Sequence, residues 1–135
     1  MTIDRSLIGK KSTPQTFEVS MEAVRRFMEA TGDPLLQHEL PLRTAPPTFP
    51  TSFTIQVPGL ELDTSTIQLL HREQEYTYTR PLFIDEQVTC VTQLADLRER
   101  TIRGEHTTFV VLETTGVDKG EQPIFTVHTT LVIRG

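Results

Sequence analysis

The sequence predicts an α+β domain in which helices come first and long antiparallel strands follow. Three observations support this prediction: an amphipathic helix pattern near the N-terminus, a proline-rich stretch after it, and four alternating apolar runs in the second half. The chain has 135 residues, the usual size of one domain. We therefore expect a single domain over residues 1–135 with one hydrophobic core.

The first elements are a short strand and a helix. Residues 16–19 alternate polar and apolar side chains, which indicates a strand. Ser20 is a favourable N-cap for a helix over residues 21–30, and Gly32 supplies the left-handed C-cap. The apolar side chains of this helix recur at helical spacing on one face, at Met21, Val24, Phe27 and Met28.

Residues 33–58 are rich in proline. Pro46 and Pro47 lack an N–H group and cannot lie inside a sheet ladder. Proline is tolerated in the first turn of a helix. We therefore predict a second, buried helix from residue 47 or 48 to residue 56.

The remainder of the chain predicts four strands, over residues 67–79, 87–97, 101–117 and 124–133. Turn signals separate them at residues 80–86, 98–104 and 118–120. An antiparallel sheet that curves around an apolar helix is the simplest arrangement that buries both.

Charge and composition restrict the partners. The formal net charge is −5, which argues against nucleic acid because phosphate binding requires a basic excess. No apolar run approaches the ~20 residues that span a bilayer, and residues 1–11 do not resemble a secretory signal. Cys90 is the only cysteine, so no internal disulfide forms. We expect a cytoplasmic protein without a membrane partner.

Four short runs resemble MaoC-like proteins: EATGDP at 29–34, APPTF at 45–49, LHREQEY at 70–76 and RPL at 80–82. Their order and spacing are most similar to the N-terminal-type half of fatty-acid-synthase-like dehydratases and of mycobacterial-type hydroxyacyl dehydratase subunits. The resemblance implies a hot-dog fold that dimerises edge to edge. It also implies thioesters of coenzyme A or of an acyl-carrier protein as ligands, with no separate cofactor.

The resemblance assigns the catalytic acid and base to Asp33 and His38, which have the family's five-residue spacing. The pair would activate one water that adds to C3 of a 2-enoyl thioester, and the reverse path would be a dehydration. A structural interpretation is also open. An aspartate after a glycine C-cap commonly forms an Asx turn, and a loop histidine is usually solvated.

The start of the predicted second helix is a candidate site for the thioester oxyanion. Pro47 occupies the place of a glycine in the catalytic relatives and has no N–H to donate. The Thr48 N–H and the hydroxyls of Thr48 and Ser52 are the alternative donors. The double proline also fits a rigid helix start, and it resembles the half that binds the acyl chain while a partner carries the catalytic pair.

Arg98, Arg100 and Arg103 form a basic cluster that would bind the phosphates of coenzyme A or an acidic carrier protein. A solvated hairpin is the plainer interpretation. No spacing of His, Cys or carboxylates indicates a metal site. Cys90 lies among apolar residues, which predicts a buried, inert thiol.

Three functional hypotheses follow. The first is an enzyme that reversibly hydrates 2-enoyl thioesters with Asp33 and His38. The second is a non-catalytic acyl-binding subunit that completes the active site of a partner. The third is an acyl-CoA thioesterase, because hot-dog folds host several reactions. Exposed sheet edges predict a homodimer, or a heterodimer with another hot-dog subunit.

Overall fold

A computed structural model of the chain describes residues 3–37, 42–53, 55–60, 62, 65 and 67–135. In this part the regular elements are one α-helix and five strands. Helix α1 spans Met21–Thr31, and the strands are β1 Gln15–Glu18, β2 Gln68–Tyr78, β3 Gln87–Ile102, β4 Glu105–Val117 and β5 Pro123–Arg134. Short 3-10 turns span Arg5–Leu7, Pro34–Gln37 and Phe49–Ser52.

The five strands form one antiparallel sheet with the order β1-β3-β4-β5-β2. Strands β3, β4 and β5 follow one another in the chain and are adjacent in the sheet. Strand β2 pairs with β5 and forms one edge of the sheet. This arrangement confirms the predicted α+β class and the four long strands of the second half.

Helix α1 begins and ends where the sequence predicts. The Ser20 hydroxyl accepts the Ala23 N–H at 3.1 Å, and Gly32 closes the helix with φ 69°. Val24 and Met28 are buried against the sheet residues Val88 and Cys90. We call the sheet face that packs against α1 the inner face, and the opposite one the outer face.

The predicted second helix is wrong. Among the described residues between 47 and 56, the regular structure is one 3-10 turn, Phe49–Ser52, and Phe53 directly after it has an extended backbone. Pro50 within the segment cannot donate to the α-helical ladder, and Pro58 follows shortly after. Thr51, Ile55 and Val57 are β-branched and favour extended backbone. The helix that packs against the sheet is α1.

The turn predicted at residues 98–104 is also wrong in its extent. Strand β3 continues to Ile102, and the reversal takes place at Arg103 and Gly104, with φ 53° and 80°. Two successive residues with positive φ form the type of turn that matches the twist of a two-residue hairpin. Arg98 and Arg100 are therefore strand residues.

The core consists of two clusters on the inner face. The first lies under α1 and includes Phe49, Leu82, Ile124 and Phe125. The second covers the far end of β3, β4 and β5 and includes Leu94, Leu97, Val110 and Ile133. No helix in the described residues has the length and apolar character needed to cross a membrane.

Candidate active site

Asp33 lies directly after the C-cap of α1. Its N–H donates to the Met28 carbonyl at 2.9 Å, and its Oδ1 accepts the Leu35 N–H at 3.0 Å. The side chain therefore forms an Asx turn that starts the Pro34–Gln37 3-10 turn. His38 lies outside the described residues, so the separation of the two predicted catalytic side chains stays a prediction.

The segment that carries Pro47 is fastened to strand β2 by both tyrosines of the chain. The Tyr78 hydroxyl donates to the Pro47 carbonyl at 2.7 Å. The Tyr76 and Thr51 hydroxyls share a second hydrogen bond. Burial raises the pKa of Tyr78 well above its ordinary value, with a smaller contribution from Tyr76. The phenol is therefore a firm donor at neutral pH.

The two hydroxyls that the sequence assigns to the substrate differ in their surroundings. Thr48 is exposed and precedes the Phe49–Ser52 turn without making a side-chain cap. The Ser52 hydroxyl donates to the Phe49 carbonyl at 2.8 Å and lies at the rim of an aromatic groove. In the described part of this segment the Thr48 N–H precedes a four-residue turn, and no long helix is there to direct it toward an oxyanion.

The aromatic groove lies between β1, α1 and the Phe49–Ser52 turn and has a volume of about 470 Å³. Phe17 and Phe53 stack with their ring centroids 4.4 Å apart. Phe49 meets both Phe27 and Phe53 edge to face at 5.5 Å. Glu18 and Arg26 stand among the lining residues. No sequence pattern predicted this groove, although it holds four of the seven phenylalanines of the chain.

The predicted arginine cluster is divided between two places. Arg98 and Arg100 line a groove on the outer face, and Arg98 pairs with Asp96 at 3.1 Å. Arg103 lies in the turn and lines a different hollow with Ile102 and Glu105. The third arginine that lines the outer-face groove is Arg72 on β2. No sequence pattern linked Arg72 to Arg98 and Arg100.

Cys90, the chain's cysteine, is buried in the core. Burial raises the pKa of the Cys90 thiol to about 12, which confirms the predicted inert thiol. Within the residues that the structure describes, no three His, Cys, Asp or Glu side chains are placed to hold a metal ion.

Comparison with known proteins identifies the family. Residues 6–127 match the family described as the FAS1-like dehydratase domain region. The chain belongs to this FAS1-like dehydratase family. The match covers the helix α1, the Pro47 segment and almost the whole sheet.

Two relatives of this dehydratase-family chain align along its full length. A UPF0336 protein of Saccharopolyspora erythraea is 32% identical and covers 100% of this chain and 94% of its own length. A UPF0336 protein of Thermobifida fusca is 29% identical, covering 100% and 96%.

Solved structures show the same hot-dog fold. A MaoC-like dehydratase superposes with a TM-score of 0.69 at 19% identity, covering 94% of this chain and 42% of that one. The HadBC (3R-hydroxyacyl-ACP dehydratase) complex of Mycobacterium tuberculosis superposes with a TM-score of 0.67 at 17% identity, covering 93% and 96%. The hot-dog fold implied by the sequence motifs is thereby confirmed.

Proposed function

We propose that the chain is the acyl-binding half of a two-chain enzyme that reversibly hydrates 2-enoyl thioesters or dehydrates 3-hydroxyacyl thioesters. The aromatic groove beside Ser52 carries this proposal. Membership of the dehydratase family supports the reaction class, and the groove supports acyl binding by this chain.

The groove suits an alkyl chain. Its walls are phenyl rings from three different elements, and each methylene buried there would contribute about 0.8 kcal/mol. The Ser52 hydroxyl donates a hydrogen bond to a backbone carbonyl. It therefore needs no polar partner on the ligand. Ligand pockets commonly combine such an apolar body with a few polar groups at the entrance.

The surroundings of Asp33 and Pro47 support a partner as the source of the chemistry. Pro47 has no N–H for an oxyanion, and its carbonyl already accepts the Tyr78 hydroxyl. The Asp33 carboxylate is engaged by the Leu35 N–H. An oxyanion site requires preorganised hydrogen-bond donors, and Pro47 provides none.

Strand β2 is the proposed contact with the partner. It is an eleven-residue edge strand, and such edges are commonly covered by pairing with another chain. The HadBC neighbour, one chain of which has the same fold, is a complex. We expect the partner to be a second hot-dog chain that carries an intact Asp/His pair.

One observation favours the alternative in which Asp33 and His38 act themselves. The Asx turn uses Oδ1 of Asp33. Among the described residues no group is seen bonded to Oδ2, so that oxygen would be the one to hold a water. The thioesterase hypothesis would be supported only by release of free thiol from an acyl-CoA.

The decisive measurement is loss of 2-enoyl-CoA absorbance, with the chain alone and with a co-expressed hot-dog partner. We expect activity only in the mixture, and little loss from Asp33→Asn or His38→Ala. Activity of the isolated chain that either substitution abolishes would instead establish the alternative.

A variant of the groove tests its role. Ser52→Phe is expected to fill the groove and raise KM for long-chain enoyl-CoA several-fold in the mixture, while short-chain substrates are unaffected. Arg25→Phe places the same ring at an exposed position of α1 outside the lining of the groove and serves as the matched control. Equal effects of the two changes, or an effect independent of chain length, would overturn the proposed acyl groove.

A further inference from the structure

A second groove, of about 430 Å³, crosses the outer face of the sheet, away from α1. We call it the outer groove. Its floor is Phe109 and Val111 of β4 with Thr130 of β5. Its rims are Arg72 and Glu73 on β2, and Asp96, Arg98 and Arg100 on β3.

Two β-bulges create the outer groove. The register of β2 against β5 shifts between His71 and Glu73, and that of β3 against β4 shifts between Leu94 and Asp96. A bulge inserts one extra residue and redirects its side chain. Arg72 is the inserted residue of β2 and lines the outer groove together with its neighbour Glu73, which regular alternation would forbid.

The bulges bring cationic groups together above one ring. The Arg72 guanidinium lies 5.5 Å from the centroid of Phe109, on the next strand but one. Arg98 is the direct cross-strand partner of Phe109, and Arg100 follows it on the same face of β3. Long side chains from opposite rims therefore converge on the same floor.

Positive charge exceeds negative charge at this place, in contrast to the chain as a whole. Three arginines face two carboxylates in the lining, although the whole chain carries −5. Asp96 pairs with Arg98. Among the described residues, no carboxylate lies within ion-pair distance of Arg72 or Arg100. Bringing like charges together is unfavourable unless an anion compensates them.

We propose that the outer groove binds the phosphate group of a phosphate ester. Guanidinium groups match phosphate oxygens through paired N–H donors, and the half-buried floor lowers the screening by water. If the proposed function holds, the ligand is the phosphate portion of the thioester carrier, which coenzyme A and a phosphopantetheine-bearing carrier protein share.

The direct test is calorimetric titration of the full chain with inorganic diphosphate at low ionic strength. Saturable binding is expected, and Arg72→Gln and Arg100→Gln should each raise Kd about tenfold, the loss of one charge-assisted hydrogen bond. Asp96→Asn, which removes the carboxylate that competes for Arg98 but keeps the oxygen that accepts the Leu97 N–H, should lower Kd.

Arg103→Gln is the matched control because it removes the same charge a few residues away, outside the outer groove. The proposal is overturned if diphosphate does not saturate, or if Arg103→Gln weakens binding as much as Arg100→Gln. This titration does not depend on any catalytic activity, so its failure and the failure of the proposed function are separate results.

The source of the phosphate is identified in the two-chain hydration assay. Arg72→Gln and Arg100→Gln should raise KM for the enoyl thioester of coenzyme A, or for that of a carrier protein. They should leave KM unchanged for an N-acetylcysteamine thioester, which has no phosphate. An equal rise of KM for all three esters would contradict phosphate recognition at the outer groove.

Discussion

At the scale of single residues, Tyr78 decides where the Pro47 segment lies. Its ring is tilted against Phe125 in the core at a centroid distance of 5.7 Å, and its hydroxyl holds the Pro47 carbonyl. One side chain therefore joins the core, the edge strand β2 and the wall of the proposed acyl groove.

Replacing Tyr78 by Phe removes this hydrogen bond and should lower the free energy of unfolding by roughly 0.5–1.5 kcal/mol at pH 7. Because burial raises the pKa of Tyr78 in the folded state, the unfolded chain releases this proton first. The wild type should therefore lose stability as the pH rises above about 10, the ordinary phenol value.

Urea denaturation between pH 7 and pH 11 measures both effects. Tyr78→Phe should show a shallower alkaline loss than the wild type. Thr77→Val, at the neighbouring exposed position, should keep the wild-type slope. Identical pH profiles of wild type and Tyr78→Phe would contradict the role of the buried phenol.

Gly116 must lack a side chain because of the ring that packs against it. It stands opposite Phe125 on β5, and a Cβ atom at this position would overlap the Phe125 ring. The absence of a side chain on β4 therefore makes room for an aromatic ring in the core beneath α1.

At the scale of elements, Arg80 connects two loops at one end of the sheet. Its guanidinium binds both carboxylate oxygens of Glu86, at 2.8 and 2.9 Å, and reaches Asp118 at 3.4 Å. It also lies over the Phe83 ring at 5.2 Å. This network joins the β2–β3 connection to the β4–β5 turn.

Glu86→Gln should lower the free energy of unfolding by roughly 1–3 kcal/mol at pH 7, since it breaks a partly buried, charge-assisted pair. Burial alone would raise the pKa of Glu86, but the bonds from Arg80 and from the Phe83 N–H outweigh it and hold that pKa below its ordinary value. This contribution is present above the ordinary carboxyl pKa and is lost as the pH falls through the folded value.

Denaturant titrations at pH 7 and near pH 3 check this prediction. The difference between wild type and Glu86→Gln should shrink at the lower pH. Glu22→Gln breaks the exposed pair with Arg26 on α1 and should change stability much less. A similar loss of stability from both substitutions would show that the Arg80 network stabilises the fold no more than an exposed ion pair does.

At the scale of the whole molecule, the two edges of the sheet differ. The β3 edge beside β1 is covered further by the N-terminal segment, where Gly9 donates to the Leu94 carbonyl at 2.7 Å and Ser12 to the Thr92 carbonyl at 2.7 Å. Strand β2 has no strand on its other side in the described part of the chain. Association is therefore expected at β2.

Leu70 on β2 is 43% exposed and offers a way to test this. Leu70→Lys should prevent dimer formation, by the chain alone or with its partner, in sedimentation velocity runs. Ile102→Lys changes another exposed apolar residue, which is 38% exposed and lies on β3, separated from β2 by β5 and β4. This substitution should leave association intact. A wild-type chain that sediments as a monomer both alone and with the partner would refute pairing at β2.

The sequence by itself determined the elements whose signals are local. Ser20 and Gly32 bound α1 correctly because caps act within one turn, and period-two alternation located the four long strands. Short motifs in order and spacing pointed to the hot-dog fold. One lies at the end of α1, one in the Pro47 segment, one within β2 and one directly after β2.

Only the tertiary structure decided what depends on distant contacts. Pro46 and Pro47 predicted a helix start, whereas the segment forms a single 3-10 turn that is hydrogen-bonded to Tyr76 and Tyr78. The two bulges shift Arg72 toward Arg98 and leave Arg103 apart, because one inserted residue redirects a side chain without leaving a mark in the local pattern. Sites assembled from several strands are set by register, which is a property of the folded sheet.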